Sequence, residues 1–309
     1  MFRLIRRMRG AFWCLILTFA VTTAEAEPLK SEVRYDHDSQ YYRIIVVDYP
    51  TLDRRTLMFS KTRGAQTSMI LSRPQALGLA YLRTLVASVP LTTVPKRVLV
   101  IGLGGGALPK FFTQQFPQTQ LDIVEIDPDV VTVAQKFFSY TPSPSTKIFT
   151  TDGRLFLKQN RNKYDLIVVD AYASDRIPFH LTTREFFALV KQNLNPDGVM
   201  ALNLWEYLVN RYLVSELRTV QSTFPQTYLF TTTDPASKVV FATMRKEPVS
   251  KEAWANNAAK LPNAGSFGYN LTELINREYQ SITDKVYAER PLTDDMAPVD
   301  QLRTVKENS

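Results

Sequence analysis

The sequence predicts an α/β protein, with a mostly parallel sheet covered by helices on both faces and a small antiparallel β unit in front of it. Three observations predict this. Residues 98–106, Val-Leu-Val-Ile-Gly-Leu-Gly-Gly-Gly, form an unbroken apolar run opening into a glycine loop. Residues 121–127, Leu-Asp-Ile-Val-Glu-Ile-Asp, form a second apolar run that ends in carboxylates. From residue 97 onward, short apolar runs alternate with stretches of helical period. A strand buried on both faces needs a continuous apolar run, and strands alternating with helices build a parallel sheet.

The elements follow in chain order. Residues 27–72 form the small antiparallel unit, with β-rich runs at Tyr41 to Asp48 and Arg55 to Phe59 around the turn Pro50-Thr51-Leu52-Asp53. A helix is predicted over 74–89, with Leu77, Tyr81, Leu82 and Leu85 on one face. Seven strands are predicted at 97–101, 120–125, 147–151, 165–170, 199–204, 226–231 and 238–244. The helices between them fall at 106–116, 128–138, 153–159, 182–194 and 208–223. Thr182-Thr183-Arg184-Glu185 reads as a capping box opening one helix, and Asn195-Pro196-Asp197-Gly198 closes it with turn residues. Asp234-Pro235-Ala236-Ser237 is too short to hold a crossover helix, so the last strand runs antiparallel. This large domain spans 73–246. Residues 247–309 read as a polar, less regular extension with one helix near 271–279.

Residues 1–26 read as an export signal. Arg3, Arg6, Arg7 and Arg9 precede the apolar stretch Ala11 to Val21, and Ala24-Glu25-Ala26 offers a small-x-small cleavage site. The stretch is shorter than the ~20 residues that span a bilayer. The expectation is a periplasmic or secreted body, with a membrane anchor over 11–24 as the alternative. Cleavage would leave 33 basic and 29 acidic residues, a net charge of +4, too mild to argue for nucleic acid. The single cysteine, Cys14, lies in the signal, so the mature chain has neither disulfide nor thiol nucleophile. With only His37 and His180, a histidine-rich metal site is excluded, and each histidine reads as a surface or packing residue.

The chemistry concentrates at strand ends. Glycines let a ligand approach the backbone, and the helix opening near Gly106 aims free N–H groups at it. Glu125, 23 residues beyond Gly102, ends the next strand, where a carboxylate can accept both ribose hydroxyls of a nucleoside. Asp152-Gly153 follows the third strand and Asp170 the fourth. Open α/β sheets bind ligands at these carboxyl ends. Acids at successive strand ends suit a nucleoside carrying a cationic group. Capping of the following helices is the plain alternative, and Asp127 before Pro128 reads that way. Gly102, Gly104 and Ala107 also satisfy the dinucleotide pattern, but an NAD enzyme needs only the first of these acids.

Four segments occur in the same order in the spermidine synthase (polyamine aminopropyltransferase) family, which this chain resembles over roughly residues 35–245. They are Val-Leu-Val-Ile-Gly-Leu-Gly-Gly-Gly, Val-Glu-Ile-Asp-Pro-Asp-Val-Val, Thr-Asp-Gly-Arg-Leu-Phe-Leu and Tyr-Asp-Leu-Ile-Val-Val-Asp-Ala. Ile177 to Thr183 and Leu292 to Val299 resemble a divergent, spermidine-synthase-like branch. The resemblance implies a methyltransferase-like Rossmann domain, seven-stranded with the last strand antiparallel, behind a small β-domain. It implies decarboxylated S-adenosylmethionine, or S-adenosylmethionine itself, as the bound nucleoside, an amine or polyamine as substrate, and no metal. A homodimer is a further implication. By the same resemblance Gly102, Gly104, Gly105, Gly106 and Gly153 cradle the nucleoside, Glu125 holds its ribose and Asp152 its adenine amine. Asp170 matches the catalytic aspartate that deprotonates the attacking amine. Gln66 and Tyr81 match pocket residues, although Tyr81 serves equally as a core residue of its helix and Gln66 as a turn residue.

The departures from the family pattern are as specific as the matches. Gly105 stands where the family carries an aspartate between its glycines, and Ala173 where it carries a second one. Pro74 and Gln75 stand near the place of an acidic pair, and Thr233-Asp234-Pro235-Ala236 replaces an aromatic loop. Each charge-assisted bond to an ammonium contributes ~1.5–3 kcal/mol, so three lost acids weaken diamine binding unless Asp175, Asp294 and Asp295 replace them. Aminopropyl transfer leads. Methyl transfer from S-adenosylmethionine and a non-catalytic exported nucleoside- or polyamine-binding module stand as alternatives, with a dehydrogenase last.

Overall fold

The structure is a computed structural model that describes residues 30–59, 65–92, 94–172, 177–205, 210–233 and 237–296. Residues 1–26, where the sequence predicts an export signal, and Asp175 lie outside the described residues. None of the described helices is long and apolar enough to cross a membrane.

Four antiparallel strands form the N-terminal sheet in sequence order: β1 (Glu32–Asp38), β2 (Arg43–Tyr49), β3 (Arg54–Met58) and β4 (Thr67–Ile70). The sequence marked β2 and β3 through their apolar residues. It did not mark β1, which is exposed along nearly its whole length and so shows no apolar period, nor the four-residue β4. Ile44, Val46, Leu57 and Met69 pack onto Val130, Val133 and Phe138, so this sheet sits on the large domain through one helix.

The large sheet has eight strands. They are β5 (Arg97–Ile101), β6 (Gln120–Glu125), β7 (Thr146–Thr150), β8 (Tyr164–Val169), β9 (Leu194–Trp205), β10 (Gln226–Thr231), β11 (Ser237–Thr243) and β12 (Tyr279–Ser281), in the order β12-β10-β11-β9-β8-β5-β6-β7. β5 to β9 are mutually parallel, and β11 inserts antiparallel between β9 and β10. The predicted topology therefore holds, with one strand added.

Among the described residues, eight α-helices accompany the sheet: α1 (Ala80–Leu85), α2 (Ala107–Gln115), α3 (Pro128–Phe137), α4 (Gly153–Gln159), α5 (Arg184–Asn193), α6 (Leu213–Gln221), α7 (Lys251–Ala259) and α8 (Leu271–Glu278). The period of two along β5 divides the core. Val98 and Val100 join the layer containing Phe112, Trp254 and Ile275, while Leu99 and Ile101 join the opposite layer with Phe186, Phe187 and Val220.

Four expectations need correction. The helix predicted over 74–89 begins only at Ala80, because the preceding chain is pressed on β4: a Cβ on Gly78 would lie 2.1 Å from the Ser68 carbonyl oxygen. Beyond Leu85 it tightens into a 3-10 helix, Val86–Leu91, that contains Pro90. The capping box is displaced by one residue. Thr183 is the N-cap and accepts from Phe186 N–H, so Glu185 sits too early to close the box. Asn195 to Gly198 does not end an element; it bulges out of β9, whose pairing with β8 jumps from Leu194 to Val199.

The largest correction concerns the extension read over 247–309, whose described residues, 247–296, are part of the folded core. They supply the helix predicted near 271–279, seen as α8, and in addition α7 and the eighth strand, β12, paired with β10. Trp254 is fully buried between Tyr228, Phe230, Phe241 and Tyr279, with its Nε1–H donating to the Ala87 carbonyl at 2.7 Å. Apolar residues in α7 are too sparse for a helical stripe, so the sequence showed no helix there.

Candidate active site

β5 ends at the centre of the parallel strands, flanked by β6 and β8, so its loop lies between Glu125 and Asp170. Gly102 has φ +99°, and a Cβ there would stand 2.2 Å from the Asp170 carbonyl oxygen. Only glycine lets the loop lie against the end of β8. Gly104 (φ +52°) carries the loop onward, and Gly106 (φ +70°) is the N-cap of α2. On the neighbouring strand end, a Cβ on Gly153 would meet Ile101 Cγ2 at 2.5 Å, so α4 packs directly on β5.

The loop borders a cleft of about 1050 Å³, open mouth included. Gly102, Gly104, Gly153, Glu125, Asp152 and Asp170 all line it, with Gln66 and Tyr81. Three acids from three strand ends thus meet in one hollow, as the sequence predicts.

Each acid is held differently. Glu125 is buried, and its Oε2 accepts from Leu103 N–H at 2.9 Å, its Oε1 from Asp127 N–H at 3.1 Å. Burial pushes its pKa up, and these backbone donors pull against that rise. Asp152 is the N-cap of α4: Oδ1 accepts from Leu155 N–H at 2.8 Å, and Oδ2 lies 2.8 Å from His180 Nε2. The bond to His180 is the main cause holding Asp152 below the ordinary carboxylate range. Asp170 accepts from Asn203 Nδ2 at 2.9 Å and from the Tyr81 side chain. Burial nevertheless pushes its pKa up to about 6, with both hydrogen bonds opposing the rise. Asp127 caps α3, its Oδ1 accepting from Asp129 N–H, as expected, and its Oδ2 also accepts from Ser39 Oγ.

Four predicted site residues do not reach the cleft. Gly105 turns away from it: its N–H donates to Thr67 Oγ1 at 2.9 Å, and a Cβ would meet Thr67 Cγ2 at 2.6 Å and the Phe138 ring at 3.0 Å. Gly106 packs on the Tyr140 ring, 2.6 Å from an added Cβ. Both shape the loop without lining the hollow. Asp294 and Asp295 are not substitute acids for the cleft. Asp294 makes a two-pronged pair with the Arg154 guanidinium, and Asp295 accepts from Thr293 Oγ1. Asp175, outside the described residues, has no place assigned.

The sequence reading missed several lining residues. Tyr42 and Phe59, stacked at 4.3 Å between ring centroids, bring the N-terminal sheet to the cleft wall. Asn203, 2% exposed, interrupts the apolar run of β9, and that lone polar residue was the available signal. His180, read as a surface or packing residue, is exposed but sits at the rim against Asp152.

The sequence profile of the spermine/spermidine synthase domain matches residues 79–251, more than half the chain. A polyamine aminopropyltransferase from Vibrio vulnificus is 30% identical over 259 residues, covering 81% of this chain and 85% of that one. The chain belongs to the spermine/spermidine synthase family. Solved structures agree at the level of fold. A probable spermidine synthase from Corynebacterium glutamicum superposes with a TM-score of 0.66 at 18% identity, covering 84% of this chain and 96% of that chain. Human methyltransferase-like protein 13, solved in complex with SAH, superposes at 0.54 and 23% identity, covering 72% and 99%. The large domain is therefore the Rossmann-like fold that spermidine synthases and methyltransferases share, and its cleft lies at the strand ends where that fold binds ligands.

Proposed function

We propose that this protein is an aminopropyltransferase that takes decarboxylated S-adenosylmethionine and an amine as substrates. The observation that carries the reading is the placement of Asp170. Its carboxylate is held by Asn203 and Tyr81 at the edge of the glycine loop, in the same hollow as Glu125 and Asp152. The residues present suit a sulfonium nucleoside. Gly102 and Gly104 leave the loop bare on either side of Leu103, Glu125 has oxygen lone pairs for ribose hydroxyls, and Asp152 stands at the base end. Such a nucleoside supplies an electrophilic carbon beside its sulfur.

The chain's own contribution is to bind, orient and move one proton. A protonated amine has no lone pair with which to attack, so Asp170 takes its proton. The freed lone pair forms the N–C bond as the carbon–sulfur bond breaks and the sulfur leaves as a neutral thioether. A carboxylate raised to about 6 is ionised at neutral pH, yet a stronger base than an ordinary aspartate. Asn203 and Tyr81 fix its direction, and holding both reactants in one cleft lowers the entropic part of the barrier.

Methyl transfer from S-adenosylmethionine is the second reading. Gly105 favours it, because the loop leaves no room there for the acid that binds the decarboxylated donor's amine in the family. Mass spectrometry of the purified protein, incubated with each sulfonium donor and a panel of amines, separates the readings. Aminopropylated product supports the first and methylated product the second. Nucleoside binding without product would make the protein a binding module. We also infer export through residues 1–26. An N-terminus beginning at Glu27 in the periplasmic fraction is the expected result, and an intact N-terminus in the cytosolic fraction refutes it.

A further inference from the structure

Asp152 faces the cleft, while Arg154, two residues along the same helix end, reaches the other way. The Arg154 side chain is 14% exposed and grips Asp294 with two nitrogens, Nη1 to Oδ1 at 2.7 Å and Nη2 to Oδ2. Nη1 also donates to the His180 carbonyl at 3.2 Å, and Nε is buried with no partner. Paired guanidinium–carboxylate contacts fix direction as well as adding energy. Among the described residues, Asp294 and the His180 carbonyl are thus the groups that orient this guanidinium.

Asp294 is itself fixed. Its Oδ1 accepts from Thr183 Oγ1 at 2.8 Å, and its N–H donates to Glu185 Oε2 at 3.1 Å. The chain just before it is pinned to two helices, with Leu292 N–H donating to Thr219 Oγ1 of α6 and the Leu292 carbonyl accepting from Arg184 N–H of α5, both at 2.8 Å. The chain from Leu292 to Asp294 therefore crosses α6 and α5 and meets α4 beside the cleft rim. From there the chain of contacts continues through Arg154 to the His180 backbone, and through the His180 ring to Asp152 Oδ2.

We infer that Asp294 is a positioning residue for the base end of the cleft, acting through Arg154 on the His180 segment and so on Asp152. This rests on the nucleoside reading of the cleft. Asp294 makes no contact with the hollow, so it should govern how well the base is held and leave the proton transfer at Asp170 alone.

The test compares the wild type with Asp294→Asn, Arg154→Gln and the double variant, all well below their melting temperatures. Each single change should raise the Kd for S-adenosylhomocysteine and the KM for the sulfonium donor about three- to tenfold, with kcat at saturation unchanged. The double variant should be no worse than the weaker single one, because both break the same link. His180 and His37 are the only histidines, so ring 15N NMR gives a separate readout: His180 signals should shift in Asp294→Asn while those of His37 stay in place. Unchanged His180 signals and an unchanged Kd in a folded variant would overturn the inference, as would additive effects in the double variant. A wild type that binds no nucleoside sinks the functional reading, and the link to Asp152 is then judged by the His180 signals alone.

Discussion

Replacing Asp170 with asparagine should stop turnover and, above pH 6, make the protein more stable. Burial raises this carboxyl from 3.8 to about 6, so the folded state holds its proton through a pH window in which the unfolded chain has lost it. Between those values the folded state binds more protons, and stability falls as pH rises. The loss is complete above about pH 6. At ~1.36 kcal/mol per unit the ceiling is about 3 kcal/mol. Asp170 faces the open cleft, where water screens it, so about 1–2 kcal/mol is the expected gain. Asparagine keeps an oxygen to accept from Asn203 Nδ2 and removes the charge. For a domain of this size the gain corresponds to roughly 3–6 °C in melting temperature. Thermal unfolding of both proteins from pH 4 to pH 8, with parallel turnover assays, measures it. The stability gain should be greatest at pH 8 and vanish towards pH 4, and wild-type kcat/KM should fall as pH drops through about 6. A variant less stable than wild type at pH 8, or a gain that does not change with pH, would falsify the assignment of Asp170 as a desolvated base.

Other consequences are equally specific. Glu216 is buried away from the cleft and pushed up to about 7, with Asn210 Nδ2 at 2.7 Å opposing the rise. Glu216→Gln should therefore raise the melting temperature at pH 8 but not at pH 5, with turnover unaltered; a loss at pH 8 would contradict this. Trp254→Ala removes the ring at the centre of four other aromatic residues and orphans the Ala87 carbonyl. Urea unfolding should show about 3–5 kcal/mol of lost stability, and a cost below about 1 kcal/mol would deny the C-terminal segment its place in the core. Gly105→Asp should not recreate an acid in the cleft, since its side chain would collide with Thr67 and Phe138. It should cost about 1–3 kcal/mol without improving calorimetric affinity for the decarboxylated donor, and tighter binding of that donor would refute the loop geometry.

Much of the site was legible because its signals are local. Apolar runs placed β5, β6 and β8, and an acid just past a strand end lands at the rim of a parallel sheet whatever else the chain does. Glu125, Asp152 and Asp170 were found in this way. The pairing of β10 with β11 followed from a link too short to cross over. Where signals were shorter than an element, the reading failed: β1 has no apolar face, α7 no apolar stripe, and Glu185 stands one position from where a capping box needs it.

The sequence by itself determined the parallel sheet, the glycine loop and the acids around it, since these depend on periodicity and on order along the chain. Only the tertiary structure decided what Asp294, His180 and Asn203 do. Asp294 lies 140 residues from Arg154, and His180 lies 28 from Asp152. Such partners are chosen by how helices and strands pack, because a side chain's direction and its neighbours are set by surfaces that meet only once the chain has folded.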